Sequence, residues 1–83
     1  MDRNLIKEKV LSFFRQKGLE IPDSKEVEKV RYLDEGWVDS FDVIDFLTYL
    51  ETEFNISFQP EELQTDSFRT IGGVIDTILR KLQ

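Results

Sequence analysis

The residues with chemistry to offer are one hydroxyl and a run of carboxylates. Ser40 stands between Asp39 and Phe41. The stretch from Leu33 to Phe54 (LDEGWVDSFDVIDFLTYLETEF) holds seven carboxylates, Asp34, Glu35, Asp39, Asp42, Asp45, Glu51 and Glu53, and no Lys or Arg. The chain has no histidine to take a proton from Ser40 and no cysteine to act as thiolate nucleophile or ligand. Ser40 therefore has no means of activating itself, and any reaction there is performed on it by another protein. By itself, a serine at a helix start is ordinarily a cap. Asp39, Asp42 and Asp45 recur every three residues, unlike the alternating ligands of an EF-hand loop, so a calcium loop and other metal sites are not expected.

The acidity has two readings. Carboxylates in a first helical turn are each worth about 0.3–1 kcal/mol against the helix dipole. Like charges three residues apart oppose this by a few tenths of a kcal/mol, and the stretch supplies no cation to relieve them. Capping accounts for Asp39 and extends to Asp42; it does not account for acids continuing to Glu51 and Glu53. A protein-binding face stands beside capping as the second reading. Phe41, an aromatic at the head of an acidic helix, would then be an apolar anchor ringed by charge.

The rest of the chain must position this stretch. Its 83 residues suit one domain over 1–83, and 40% hydrophobic content with seven phenylalanines is enough for a small core. Net charge is −6, spread unevenly: residues 1–32 carry +2, residues 33–66 carry −10 and residues 67–83 carry +2. Such a middle third repels nucleic acid and steers basic proteins toward itself. No apolar run approaches membrane-spanning length, and the charged N-terminus is unlike a signal peptide. A cysteine-free chain of this kind is expected in the cytoplasm.

Periodicity predicts an all-α chain. In residues 3–17, Ile6, Val10, Phe13 and Phe14 share a helical face that Leu5 and Leu11 widen, and Gly18 stands where a left-handed residue ends a helix. A long connection follows, extended at Ile21-Pro22, with a short turn after Ser24. Val27, Val30, Tyr32 and Leu33 are expected to lay this connection over the bundle. The second helix starts at Asp39 or Ser40 and reaches Phe54, with Ile44, Leu47, Leu50 and Phe54 inward, Phe46 flanking them, and Asp42, Asp45, Thr48 and Thr52 opposite. Pro60 opens a brief helix over about 60–64 with Glu61 and Glu62 at its positive end. Thr70 caps a last helix carrying Ile71, Val74, Ile75, Ile78, Leu79 and Leu82. The expectation is a four-helix bundle of three longer helices and one short one, with a long loop between the first two. Gly72-Gly73, unfavourable in a helix interior, implies either close packing or room for a bound group.

With these elements in place, Gly36-Trp37-Val38-Asp39-Ser40-Phe41-Asp42-Val43-Ile44-Asp45-Phe46 resembles the modification site of acyl carrier proteins. Asp-Ser followed by a large apolar residue leads an acidic helix closed by a phenylalanine. The similarity continues through Phe54-Asn55-Ile56, Pro60-Glu61 and Phe68-Arg69-Thr70-Ile71, and so spans roughly Leu33 to Leu82. The resemblance implies a free-standing, monomeric carrier that is not an enzyme. Ser40 Oγ would receive 4′-phosphopantetheine from coenzyme A through a separate phosphopantetheinyl transferase. The arm's thiol would then carry acyl or aminoacyl groups as thioesters between a loading ligase and an acyl-using synthase or transferase with basic docking patches. Carried over by position, Asp39, Phe41, Asp42 and Asp45 are the recognition residues, and Phe46, Leu50 and Phe58 would line an acyl pocket. The approach Leu33-Asp34-Glu35-Gly36-Trp37-Val38 departs from the fatty-acid type and is more similar to D-alanyl and specialised carriers.

Asp66-Ser67-Phe68 repeats the tripeptide, so the tripeptide cannot be the argument. Ser67 is followed by Arg69 and Thr70 instead of an acidic amphipathic helix, which leaves Ser40 as the candidate. The alternative function is an acidic helical interaction module that is never modified.

Overall fold

The computed structural model describes residues 2–21 and 24–83; the extension expected at Pro22 lies outside them. Helix α1 (Arg3–Gln16) is capped by the Asp2 carboxylate, which accepts from the Asn4 amide at 3.2 Å. Ile6, Val10, Leu11, Phe13 and Phe14 are buried, while Leu5, expected to widen this face, is exposed. The helix stops where glycine permits a left-handed residue: Gly18 has φ 93°, and the Gly18 and Leu19 amides return to the carbonyls of Arg15 and Phe14.

The connection to the next helix contains a 3₁₀ turn (Lys25–Lys29) and then lies down through Val27, Tyr32 and Val38, all buried. Ser24 precedes the turn without making a side-chain cap. Tyr32 is fully buried, donates its hydroxyl to the Phe68 carbonyl, and packs on Phe14 and Phe46 at ring separations of 5.9 and 5.5 Å. The Val30 carbonyl accepts from the Ile71 amide at 3.1 Å. Leu33 does not join them: it is exposed, in the turn that Gly36 closes at φ 75°.

Helix α2 (Ser40–Phe54) runs antiparallel to α1, as two ion pairs show: Lys17 with Asp42 at one end, Lys9 with Glu53 at the other. Its inward face is Phe46, Leu50 and Phe54, with Val43 and Leu47 at the rim. Ile44 departs from expectation and is 64% exposed. At ~100° per residue, once Phe46 points at the core, Ile44 must turn almost directly away. The larger aromatic ring decides the orientation, since it has more surface to bury. Asn55 ends the helix in the left-handed region at φ 54°.

Helix α3 (Pro60–Leu63) is brief, with Pro60 in its first turn. Glu62 Oε2 reaches back to the Gln59 amide at 2.7 Å, one arm of a capping box. A second 3₁₀ turn (Asp66–Arg69) buries Phe68 and leads to α4 (Ile71–Leu82). Thr70 Oγ1 caps α4 by accepting from the Gly73 amide at 3.0 Å. The buried face of α4 carries Ile71, Val74, Ile75 and Ile78. The architecture is an all-α bundle of three longer helices and one short one, with no strand among the described residues. Also among these residues, no helix is long and apolar enough to cross a membrane.

Close packing accounts for Gly72-Gly73. A Cβ on Gly72 would come within 3.0 Å of the Glu28 carbonyl oxygen, and one on Gly73 would fall 1.5 Å from the Ser67 carbonyl oxygen. The two glycines let both 3₁₀ turns seat against the first turn of α4.

Candidate functional site

The head of α2 is held from both sides. Before it, Trp37 packs edge-on against Phe14 at 5.3 Å, its amide bonds the Tyr32 carbonyl at 2.9 Å, and Val38 is buried. After it, Val43 and Phe46 anchor the helix in the core. Between these anchors Asp39, Ser40 and Phe41 stand at the surface.

Asp39 is the cap. Its Oδ1 accepts from the amides of Phe41 at 2.9 Å and Asp42 at 2.8 Å, which satisfies two of the donors a helix start leaves open. Ser40 is thereby the first helical residue, exposed, with no capping duty for its hydroxyl. Either residue could have been the cap from sequence; the structure assigns that work to the aspartate.

Phe41 is 81% exposed, beyond the partial exposure of a ring at the edge of a core. With Ile44 it makes an apolar pair one turn apart on the outer face of α2, bordered by the exposed Asp45 and Thr48. The sequence pattern places Ile44 inside; the signal against this is its spacing from the larger Phe46.

The carboxylates of α2 divide by partner. Asp42 is paired with Lys17 at 3.1 Å, Glu53 with Lys9 at 3.4 Å, and Glu51 accepts from the Phe58 amide at 2.9 Å. Asp39 and Asp45 have no ion pair among the described residues. Local sequence contained no cation near these acids, but α1 brings two from far along the chain. The Lys17 ammonium also lies over the Phe13 ring, 5.2 Å from its centroid, a cation–π contact beside Asp42. Among the described residues no three or more Asp or Glu form a group suited to a metal ion.

Phe46 and Leu50 are fully buried, Phe46 with its ring 5.0 Å from Phe14 and 5.1 Å from Phe13. Phe58 is half-buried, edge-on to Phe68 at 5.5 Å and under the Lys81 ammonium at 5.3 Å. A shallow cleft of about 710 Å³ lies away from these three, between the starts of α1 and α4, where Arg3 bridges Glu28 and Asp76.

The repeated tripeptide folds differently. Asp66 and Ser67 lie inside a 3₁₀ turn and Phe68 is core, whereas Phe41 is almost wholly in solvent. The same three letters thus turn their phenylalanine into the core in one place and out to solvent in the other, while both serines are exposed.

Compared with known proteins, the chain is similar to an acyl carrier protein of Thermotoga maritima. The two are 30% identical over 80 residues, which cover 96% of this chain and 95% of that protein. No protein-family model matches the chain, and no solved structure matches it.

Proposed function

The chain belongs to the acyl carrier protein family, and from that premise we propose that Ser40 is where it is loaded. Residues 1–83 act as one monomeric carrier unit without catalytic activity of its own. A phosphopantetheinyl transferase, using Mg²⁺, joins the Ser40 hydroxyl to the 4′-phosphopantetheine of coenzyme A. The serine proton is lost, a phosphodiester forms, and adenosine 3′,5′-bisphosphate leaves. The arm's thiol supplies what a cysteine-free chain lacks and holds acyl or aminoacyl groups as thioesters.

The observation that carries this reading is the division of labour at the helix head. A serine used as a cap would have its oxygen committed to backbone amides; here Asp39 takes both, and Ser40 Oγ is exposed and available. The exposed Phe41 and Ile44, with Asp39, Asp42 and Asp45 around them, provide the docking face for enzymes that present basic patches. Such contacts favour fast, salt-sensitive encounters. Phe46, Leu50 and Phe58 would line an acyl chain only if α2 and α3 separated, because Phe46 and Leu50 are closed off in the core. The turn Leu33–Val38, with its Asp34-Glu35 and Trp37, supports a D-alanyl or specialised carrier over the fatty-acid type. A cytoplasmic location fits coenzyme A as donor.

The test is incubation with coenzyme A, Mg²⁺ and a broad-specificity phosphopantetheinyl transferase, followed by intact mass. One pantetheine phosphate should be added to wild type and to Ser67→Ala, and none to Ser40→Ala. No adduct on wild type would leave the unmodified interaction module as the better reading. Addition to Ser40→Ala but not to Ser67→Ala would move the site to Ser67.

A further inference from the structure

The outer face of α2 does not present its charges equally, and the inequality comes from α1. Lys17, at the C-terminal end of α1, sits 3.1 Å from Asp42, with the two side chains each 34% exposed. Its ammonium also lies over the Phe13 ring, 5.2 Å from the centroid. Asp45, one turn further along α2, is exposed with no ion pair among the described residues. Phe41 and Ile44 are the apolar pair on the same surface.

Resting on the carrier reading, we propose that the transferase reads this helix through Phe41, Ile44 and Asp45, and that Lys17 withholds Asp42 from it. The occupant is a protein surface with an apolar pocket rimmed by cations, the complement of two exposed apolar side chains beside a free carboxylate. A cation approaching Asp42 meets a carboxylate already neutralised and an ammonium of its own sign. It must displace Lys17 or bypass Asp42, and Asp45 offers the bypass. Lys17 is therefore a specificity-determining residue on a helix that carries no part of the modification motif. It lowers the charge a partner sees without altering the apolar anchor, and so discriminates against partners whose cations aim at the helix head.

The measurement is kcat/KM for modification of the intact chain by the same transferase at low ionic strength. Lys17→Gln should raise it roughly two- to five-fold, the range that coupling in half-exposed ion pairs corresponds to. Asp45→Asn should lower it by a similar factor. Asp42→Asn should cost more in the Lys17→Gln background than in wild type, because only there is the carboxylate free to be read. Lys9→Gln makes the same change in net charge, but its partner is Glu53 at the far end of α2; it should give less gain than Lys17→Gln, and both gains should shrink at high salt.

Equal gains from Lys9→Gln and Lys17→Gln would assign the effect to net charge and overturn the proposal. So would a loss at Asp42→Asn that is the same in both backgrounds. A wild-type chain that takes no adduct would overturn the carrier reading, and this proposal with it. Modification of wild type with no gain in Lys17→Gln would overturn this proposal alone.

Discussion

Tyr32 joins the long connection to the far end of the chain. It is fully buried, its hydroxyl donates to the Phe68 carbonyl, and burial pushes its phenol well above the ordinary tyrosine range. Tyr32→Phe keeps the ring contacts but leaves that carbonyl without its donor in a dry interior. It should cost about 1–3 kcal/mol in equilibrium unfolding, the penalty for stranding a buried polar group. An unchanged midpoint would mean that water reaches the Phe68 carbonyl. At this scale the sequence was informative about kind and less so about contact. Tyr32 was legible as an apolar cover and Ser40 as a candidate hydroxyl. That Asp39 would be the cap, leaving Ser40 uncommitted, was not legible, because both residues cap helices well. Nor was the Lys17–Asp42 pair, whose members are separated by a helix end and the whole connection.

At the scale of elements, α4 shows how a propensity argument is overturned by packing. Glycine in an exposed helix interior is about 1 kcal/mol worse than alanine, so Gly→Ala in α4 would ordinarily stabilise. At Gly73 the added methyl would fall 1.5 Å from the Ser67 carbonyl oxygen, and the backbone of the second 3₁₀ turn would have to move. Gly73→Ala should therefore destabilise by about 3 kcal/mol or more. Gly72→Ala, which meets the Glu28 carbonyl at 3.0 Å, should cost less. Chemical denaturation of the two variants checks both size and order; a more stable Gly73→Ala would mean that the turn is not seated on α4. The helices themselves were legible in close to their observed bounds, because caps and apolar periodicity agree at Gly18, Asp39, Pro60 and Thr70. The two 3₁₀ turns were less legible: the first was expected only as a short turn and the second not at all, since segments of four or five residues carry too few positions to show a period. Ile44 was misplaced for a related reason. Several apolar residues crowd one side of α2, and a stripe drawn through them can be rotated until the ring sizes are weighed.

For the whole molecule, the question is how a chain of net charge −6 keeps its acidic middle folded. Cations from its two ends reach the centre: Lys9 and Lys17 from α1, and Lys81 from α4, whose ammonium is 2.7 Å from Glu62. Bonding to Lys81, and then to the Gln59 amide, holds the Glu62 carboxyl below the usual glutamate range. A carboxylate so depressed stabilises the fold above its ordinary pKa and loses that contribution as pH falls through its folded value. Glu62→Gln should thus be less stable than wild type at neutral pH, by roughly 0.2–1 kcal/mol for a pair this exposed. The difference should narrow as pH falls below the ordinary glutamate pKa and close once it passes the lowered folded value. Parallel melts at pH 7 and pH 3 test this, and a gap equally wide at both would assign the effect to lost packing. The charge blocks were plain in the sequence, and so were the local pairs Arg31–Asp34 and Arg69–Asp66, but the pairs made by Lys9, Lys17 and Lys81 required the fold, because each joins two elements distant in the chain.

The capping arrangement at α2 also has a consequence for the protein's standing population. A hydroxyl that supports nothing in the fold can be esterified or left bare with little effect on folding free energy. On the proposed reading, loaded and unloaded forms should then share one lifetime, and neither would be selectively cleared by a quality-control protease that samples unfolded chains. The loaded fraction would follow the transferase, in its supply and in how well it reads α2, and not fold stability; an idle pool could wait, folded, until a transferase reached it.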